Sequence, residues 1–208
     1  LLYGGRTTLL LSGLAMLTIS LIGAVIGITI GYFAGKLDLA VSAVLTMLLS
    51  LPSLLLTLAI LGILGPSTSS LFIALIGAGW VGHARIIRAA VLSLREQLYV
   101  EAAVSIGAST GRVLGRHILP NLLTTIIILA TLDIGALVLT ITSLSFLGLG
   151  VQPPTPDWGT MLNEARPYFS AVPLLVIVPG VTIATLVLCG NLLGDAVRDL
   201  ADIGHRPR

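Results

Sequence analysis

The chain has 208 residues, of which 56% are hydrophobic and only 10% are charged, and its formal net charge is +2. A mean hydropathy of +1.07 is too high for a soluble domain of ordinary composition, so the composition indicates a multi-pass membrane protein. The single cysteine, Cys189, excludes an internal disulfide and a cysteine metal cluster.

The first predicted membrane span covers residues 7–33, an unbroken apolar run that favours a helix over an alternating barrel strand. Gly23, Gly27 and Gly31 recur in it at four-residue spacing, and Gly35 just beyond it continues the spacing. Because residues four apart share a helical face, this spacing predicts a packing face that a second helix approaches closely, although glycine is also common in membrane helices generally. Residues 35–38 are then expected to form a short polar turn.

A second span is predicted over residues 39–64, with a kink at Pro52, because proline removes one backbone donor from a helix. A third span starts near Leu71. Its apolar part is short, and the polar side chains that follow are expected at the membrane edge, where arginines extend toward the lipid head groups. These side chains are His83, Arg85 and Arg88.

Residues 96–119 form a polar segment that is rich in small and basic residues. Because alanine side chains are small, a short helix that bears them can lie close to a groove in another protein. Gly107 can adopt backbone angles that other residues resist. The segment therefore predicts a helix–turn–helix with Ser109 or Thr110 as the new N-cap. Pro120 is expected in the first turn of a fourth span, which runs to about residue 144.

The fourth span contains one carboxylate, Asp133, which is costly in a membrane unless it is paired, hydrated or protonated. A position on a translocation pathway and a structural pairing with neighbouring polar groups are both open. Residues 145–170 form a second non-membrane segment, in which a short amphipathic helix is expected from Trp158. A fifth span is predicted over residues 172–193, followed by a polar tail over residues 195–208.

Five spans place the two ends of the chain on opposite sides of the membrane, and the basic residues fall mostly on one side. Arg6 and Arg166 lie on the other. Under the positive-inside rule the richer side is cytoplasmic, so the 96–119 segment and the C-terminus are expected inside and the 145–170 segment outside. The residues of the richer side are Lys36, Arg85, Arg88, Arg95, Arg112, Arg116, Arg198, Arg206 and Arg208.

A G-x-G-x-x-G string at residues 77–82 is interpreted as helix packing and not as a dinucleotide site, because it lies inside an apolar span with no strand before it. An intramembrane enzyme would need two catalytic residues at bilayer depth, and only Asp133 is found there. A secondary carrier would show repeated halves with broken helices, which are not found.

Three separate stretches resemble the permease subunits of ABC importers. Glu101-Ala102-Ala103, with Gly107 four residues later and then Leu119-Pro120, is similar to the EAA loop of that family. Further sequence motifs resemble the subgroup of this family for dipeptides, oligopeptides and nickel, and within it the second, or C-type, permease. These motifs are ASTGRVLGRHILPN from Ala108, SFLGLGVQPPTPDWGTML from Ser145 and NLLGDAVRD from Asn191.

The resemblance implies an all-α, polytopic transmembrane bundle with the type I ABC importer permease fold, formed by residues 1–208 as one domain, with a sixth span expected before Leu1. It implies a non-catalytic subunit of the prokaryotic inner membrane that transports peptides, or alternatively nickel or another chelated metal. The expected partners are a second permease subunit, two cytoplasmic ATPase subunits that bind ATP and Mg²⁺, an extracytoplasmic substrate-binding protein and the lipid bilayer. No cofactor, metal or nucleic acid is expected on this chain.

The 96–119 segment is the expected coupling loop, on which the ATPases dock. The charged residues would fix the register of docking more than its affinity. The residues assigned to docking are Glu101, Ala102, Ala103, Gly107, Ala108, Arg112, Arg116, Leu119 and Pro120.

Overall fold

The structure is a computed structural model that describes residues 1–203, and within these residues it contains α-helices and no strand. A π-helical turn over Leu114–Ile118 joins α6 to α7, and a 3-10 turn over Arg166–Tyr168 follows α8. The helices are α1 (Leu2–Phe33), α2 (Gly35–Leu49), α3 (Ser53–Leu64), α4 (Thr68–Arg95), α5 (Leu98–Ser105), α6 (Thr110–Val113), α7 (Leu119–Phe146), α8 (Trp158–Ala165) and α9 (Leu174–Ile203).

Four helical stretches are long and apolar enough to cross a membrane: α1, α4, the continuous stretch Thr110–Phe146, and α9 over Leu174–Leu200. A fifth crossing is obtained if α2 and α3 count as one broken span. The predicted all-α, multi-pass bundle is therefore confirmed. Because α9 continues to Ile203, residues 195–203 of the expected tail are helical, whereas His205, Arg206 and Arg208 lie outside the described residues.

The second predicted span differs from expectation in two ways. The expected polar turn at residues 35–38 is wrong, since these residues form the first turn of α2, and the chain turns at Ala34 and Gly35, which have φ values of 49° and 69°. The expected kink at Pro52 is instead a complete break between α2 and α3. Pro52 has extended backbone angles and occupies the N-cap position of α3, because it cannot donate to a continuing helix.

The chain divides into two compact units. The first contains Leu1–Thr18, Pro52–Ala78 and the chain from Ala130 onward, and the second contains Ile19–Leu51 and Gly79–Leu129. The buried core of the first unit includes Leu11, Leu61, Leu71, Ile141 and Leu144. The second unit has two buried clusters; one surrounds Leu45 and Val81, and the other includes Ala24, Ile87, Val91, Val100, Val113, Ile118 and Leu122.

In the second unit, the glycine ladder of α1 lies directly against α4. A methyl group at Gly23 would lie 2.5 Å from Cβ of His83, one at Gly27 would lie 2.7 Å from the carbonyl oxygen of Ala84, and one at Gly31 would lie 2.8 Å from Cβ of Val91. Real Cβ atoms do not approach other atoms this closely. The lack of a side chain at these three glycines of α1 therefore sets the distance between the two helices.

The glycine contact also changes the interpretation of His83, which was expected at the membrane edge. His83 lies in the middle of α4 and is only 4% exposed. Its Nδ1 lies 3.4 Å from the hydroxyl oxygen of Ser20, which is itself buried. A buried polar side chain needs such a partner, so His83 is a packing residue of the second unit.

In the first unit, Asp157 fixes the start of α8. Its carboxylate accepts hydrogen bonds from the backbone N–H groups of Gly159 and Thr160, at 3.0 and 3.3 Å, which is an N-cap arrangement. Thr8 of α1 donates to the same carboxylate at 2.6 Å, and Asp157 is fully buried. Trp158 covers Gly5 and donates to the carbonyl oxygen of Leu1 at 3.0 Å. Asp157 and Trp158 therefore hold α8 on α1 and do not form a free outer surface.

We predict that Gly27→Ala destabilises the protein by about 1–3 kcal/mol, because the new methyl group must push α4 away from α1. Gly13 of the same helix is the matched control, since a methyl group there meets nothing within 4 Å. Gly13→Ala is expected to be neutral or to stabilise by up to about 1 kcal/mol. Thermal unfolding of both variants in detergent measures the difference, and equal melting temperatures would contradict the close packing.

Candidate functional site

The segment between α4 and α7 is built on the short helix α5. Gln97 is extended and serves as its N-cap, two residues after α4 ends at Arg95. On one face of α5, Val100 and Ala103 are buried, with 2% and 8% of their surfaces exposed. Val100 belongs to the same core as Ile87 of α4, so α5 is packed firmly onto the second unit.

Gly107 ends α5 with a sharp turn. Its φ is +83°, in the left-handed region that side chains with a Cβ resist, and its N–H donates to the carbonyl oxygen of Val104 at 2.9 Å. Ser109 is then extended and takes the N-cap position of α6, although its side chain makes no capping hydrogen bond. The structure thus contains the predicted helix–turn–helix, with Ser109 at the expected N-cap position.

The two most exposed large apolar residues of α5 and its C-cap were not selected by the sequence analysis. Leu98 is 82% exposed and Ile106, at the tip of the turn, is 87% exposed. Glu101 and Ala102 are exposed beside them, whereas Ala103 faces the core. Of the three residues of the Glu-Ala-Ala motif, only the first two are therefore available to a partner, and the signal that was missed is an isoleucine directly before a turn glycine.

The helix after the turn runs without interruption from Thr110 to Phe146. Pro120 is the second residue of α7 and so lies in its first turn, as expected, but α7 does not start afresh there, because the π-helical turn over Leu114–Ile118 joins it to α6. At the end of that turn, the N–H of Leu119 donates to the carbonyl oxygen of Leu114. A wider turn at this point accommodates the missing N–H of the proline while the helix continues.

The other predicted docking residues lie in Glu101–Ala103 of α5, in the turn after it, in α6, in the π-helical turn and at the start of α7. Arg112 and Arg116 are exposed, Leu119 and Pro120 are also exposed, and Ala108 is half-buried. Glu101 lines a groove of about 480 Å³ together with Arg95 and Tyr32. Arg95 donates to the carbonyl oxygen of Tyr32 at 2.8 Å and lies 5.8 Å from the centre of its ring. The segment therefore combines an apolar tip with exposed charges of both signs.

The family model of binding-protein-dependent transport system inner membrane components matches residues 23–202, which is most of the chain and includes all of residues 96–119. The chain belongs to this family. It is thus a transport component and not an enzyme, as the three sequence motifs predicted.

This transport component is similar to named permease proteins of several bacteria. It is 38% identical over 202 residues to the dipeptide transport system permease protein DppC of Alkalihalophilus pseudofirmus, covering 97% of this chain and 66% of that protein. It is 41% identical over 203 residues to the di/tripeptide transport system permease protein DppC of Pseudomonas aeruginosa, covering 97% and 67%. It is 37% identical over 202 residues to the glutathione transport system permease protein GsiD of Pectobacterium atrosepticum, also covering 97% and 67%. The chain spans about two thirds of the length of these relatives.

One solved structure shows the same fold. A chain of the MetNI methionine ABC transporter, in an inward-facing conformation, matches with a TM-score of 0.75 at 19% identity, covering 97% of this chain and 95% of that chain. The predicted ABC importer permease fold is confirmed by this match. The transport component is accordingly a multi-pass membrane protein.

An ion pair braces α4, the helix that leads into α5. Arg88 was expected to extend toward the lipid head groups, but it forms a two-point contact with Asp38 of α2, in which Nη2 lies 2.7 Å from Oδ2 and Nε donates to Oδ1. Ser42 also donates to Asp38, at 3.1 Å. The side chains of Arg88 and Asp38 are 26% and 12% exposed, so the pair is largely removed from solvent. It ties α2 to α4 within the second unit.

Asp133 does not join the docking residues. It lies on the part of α7 that belongs to the first unit, and its side chain is exposed. Nearby, α7 and α9 lie close together at Gly135. A methyl group at this glycine would lie only 2.9 Å from Oδ1 of Asn191. The site predicted from sequence therefore consists of the docking segment, with Asp133 as a separate feature.

We predict that Arg88→Gln destabilises the transport component by about 3 kcal/mol, because it leaves the buried carboxylate of Asp38 without its charge partner. The double variant Asp38→Asn with Arg88→Gln should cost less than the sum of the single variants, with a coupling of about 1–3 kcal/mol. Arg85→Gln, at an exposed position one turn earlier, is the control. Unfolding in detergent checks the cycle, and additive effects would show that the pair contributes nothing.

Proposed function

We propose that the chain is the membrane-embedded permease subunit of an ATP-driven ABC importer of peptides. The observation that carries the proposal is its identity of 38% and 41% to permeases named for dipeptides and di/tripeptides, over nearly the whole chain. The named glutathione permease supports the same substrate class, since glutathione is a small peptide. The chain would form half of the translocation pathway.

The partners follow from the proposed role. A second permease subunit completes the pathway, two cytoplasmic ATPases bind ATP and Mg²⁺, and an extracytoplasmic binding protein delivers the peptide. The distribution of basic residues supports a cytoplasmic docking segment and C-terminus, with the 145–170 segment outside the cell membrane. The chain itself supplies neither nucleotide site nor catalytic residue in this scheme.

The packing of α5 supports a mechanical coupling role. Movement of an ATPase shifts the docked outer face of α5, and because Val100 and Ala103 lie in the core of the second unit, the helix cannot shift alone. The Asp38–Arg88 pair extends the same connection to α2. Such a rigid connection is needed if the binding of ATP is to favour one of two arrangements of the membrane helices.

We predict that Ile106→Ala uncouples ATP hydrolysis from peptide uptake and weakens ATPase docking by about tenfold, because the exposed tip loses its apolar contact. Ile63→Ala is the matched control, since Ile63 is of the same type and is 85% exposed, against 87% for Ile106. Folding should be unaffected in both. Co-purification with the ATPases and hydrolysis in proteoliposomes are measured; normal coupling of the Ile106 variant would refute this docking surface.

Transport assays in proteoliposomes that contain the complete importer test the substrate. Labelled dipeptide should be taken up in an ATP-dependent manner, and unlabelled dipeptides and tripeptides should compete with it. A nickel chelate should be neither transported nor competitive. Uptake of the nickel chelate without uptake of peptide would overturn the proposed substrate class while leaving the ABC permease role intact.

Asp133 is proposed to face the translocation pathway and to contact the amino group of the peptide. We expect Asp133→Asn to reduce peptide uptake by about tenfold through loss of a charge-assisted contact, with ATPase docking unchanged. Asp199→Asn, which alters an exposed carboxylate of α9, is the control. Unchanged uptake by the Asp133 variant would remove it from the pathway and favour a structural pairing instead.

A further inference from the structure

The first unit contains an apolar groove between two candidate membrane spans, at the end of the bundle that carries α8. Its volume is about 410 Å³. Four of its residues come from α7, three from α9 and one from α8. They are Leu139, Thr142, Ser143, Phe146, Leu162, Val176, Gly180 and Ile183.

The groove runs along the membrane spans, not across them. On α7 it reaches from Phe146, the last residue of the helix, back to Leu139, and on α9 from Val176, in the first turn, forward to Ile183. Each interval covers roughly two helical turns, or 10 Å. The groove therefore starts at the C-terminus of α7 and the N-terminus of α9, and it continues into the apolar part of both helices.

The walls of the groove offer an apolar surface and leave room for a guest. The hydroxyl of Thr142 is used within the protein, since it donates to the carbonyl oxygen of Val138 at 2.9 Å. At Gly180 a methyl group would meet nothing within 4 Å, so the glycine leaves open space in the α9 wall. An extended hydrocarbon chain fits these walls, whereas a polar ligand would find few partners.

A cation lies at the end of the groove. The guanidinium of Arg166, directly after α8, is held 5.3 Å from the centre of the Phe146 ring, and Phe146 is a wall residue. The side chain of Arg166 is exposed, and the aromatic residues Tyr168 and Phe169 that follow it are exposed as well. Arginine and aromatic side chains at the end of a span mark the head-group level of a membrane.

We propose that this groove is a binding site for a phospholipid of the leaflet on the α8 side, with one acyl chain between α7 and α9 and the phosphate on Arg166. Charge complementarity selects this occupant. The site has its positive group at head-group level and its apolar walls in the next 10 Å or so, which is the order of polar and apolar parts in a phospholipid. The site needs only the membrane location of the chain and not the proposed substrate.

Native mass spectrometry of the assembled importer tests the site, after extraction from nanodiscs of phosphatidylglycerol and phosphatidylcholine. The probe is phosphatidylglycerol. Gly180→Leu fills the groove and should reduce retained phosphatidylglycerol by about tenfold, and Arg166→Gln should do so to a similar extent, whereas Arg166→Lys should retain it. Gly62→Leu is the control, since Gly62 of α3 also has open space around it.

Each other outcome overturns the site. Equal lipid retention in all variants would show that the groove holds no phospholipid. Loss of the second permease subunit from the Gly180→Leu complex would identify the groove as a subunit interface. Loss of peptide uptake by that variant, with lipid retention unchanged, would place the groove on the substrate pathway. The proposed transport function survives each of these results, so the two proposals fail separately.

Discussion

The close approach of α1 and α4 is the constraint on which the second unit depends. Gly23, Gly27 and Gly31 place the α4 backbone against α1 at distances that any side chain would prevent. Within that frame the inner faces of α4 and α7 enclose a core, and α5 contributes Val100 to it. A helix as short as α5 is not stable alone, because helix nucleation is costly and few further residues add hydrogen bonds after it. The position of α5 is therefore set by the core on which it packs.

Polar groups inside the molecule are paired in ways that tie distant parts of the chain together. Asp38 with Arg88 links α2 to α4 in the second unit, and Thr8 with Asp157 links α1 to α8 in the first. An unpaired charge in an apolar environment costs several kcal/mol, so each pair also specifies which helices are neighbours. The ion pair and the charge-assisted hydrogen bond therefore fix the arrangement where apolar side chains, which pack adequately in several ways, do not.

The two ends of α7 meet different kinds of surroundings in these proposals. At one end the helix continues through a π-helical turn into α6, whose neighbour Ile106 projects from the turn for a protein partner. At the other end Phe146 lies beneath Arg166 beside an apolar groove suited to lipid. The proposed docking surface belongs to the second unit and the proposed lipid site to the first.

Composition and apolar run length determined the membrane class, the glycine spacing determined the packing face of α1, and Gly107 determined the helix–turn–helix, because these depend on local periodicity and backbone preference. Family membership followed from motifs of the same kind. Only the tertiary structure decided that Arg88 is paired, that His83 is buried and that Ala103 faces inward. Those facts depend on which helices pack together. Arg88 and Asp38 are 50 residues apart in the chain, so the sequence around either residue does not indicate its partner.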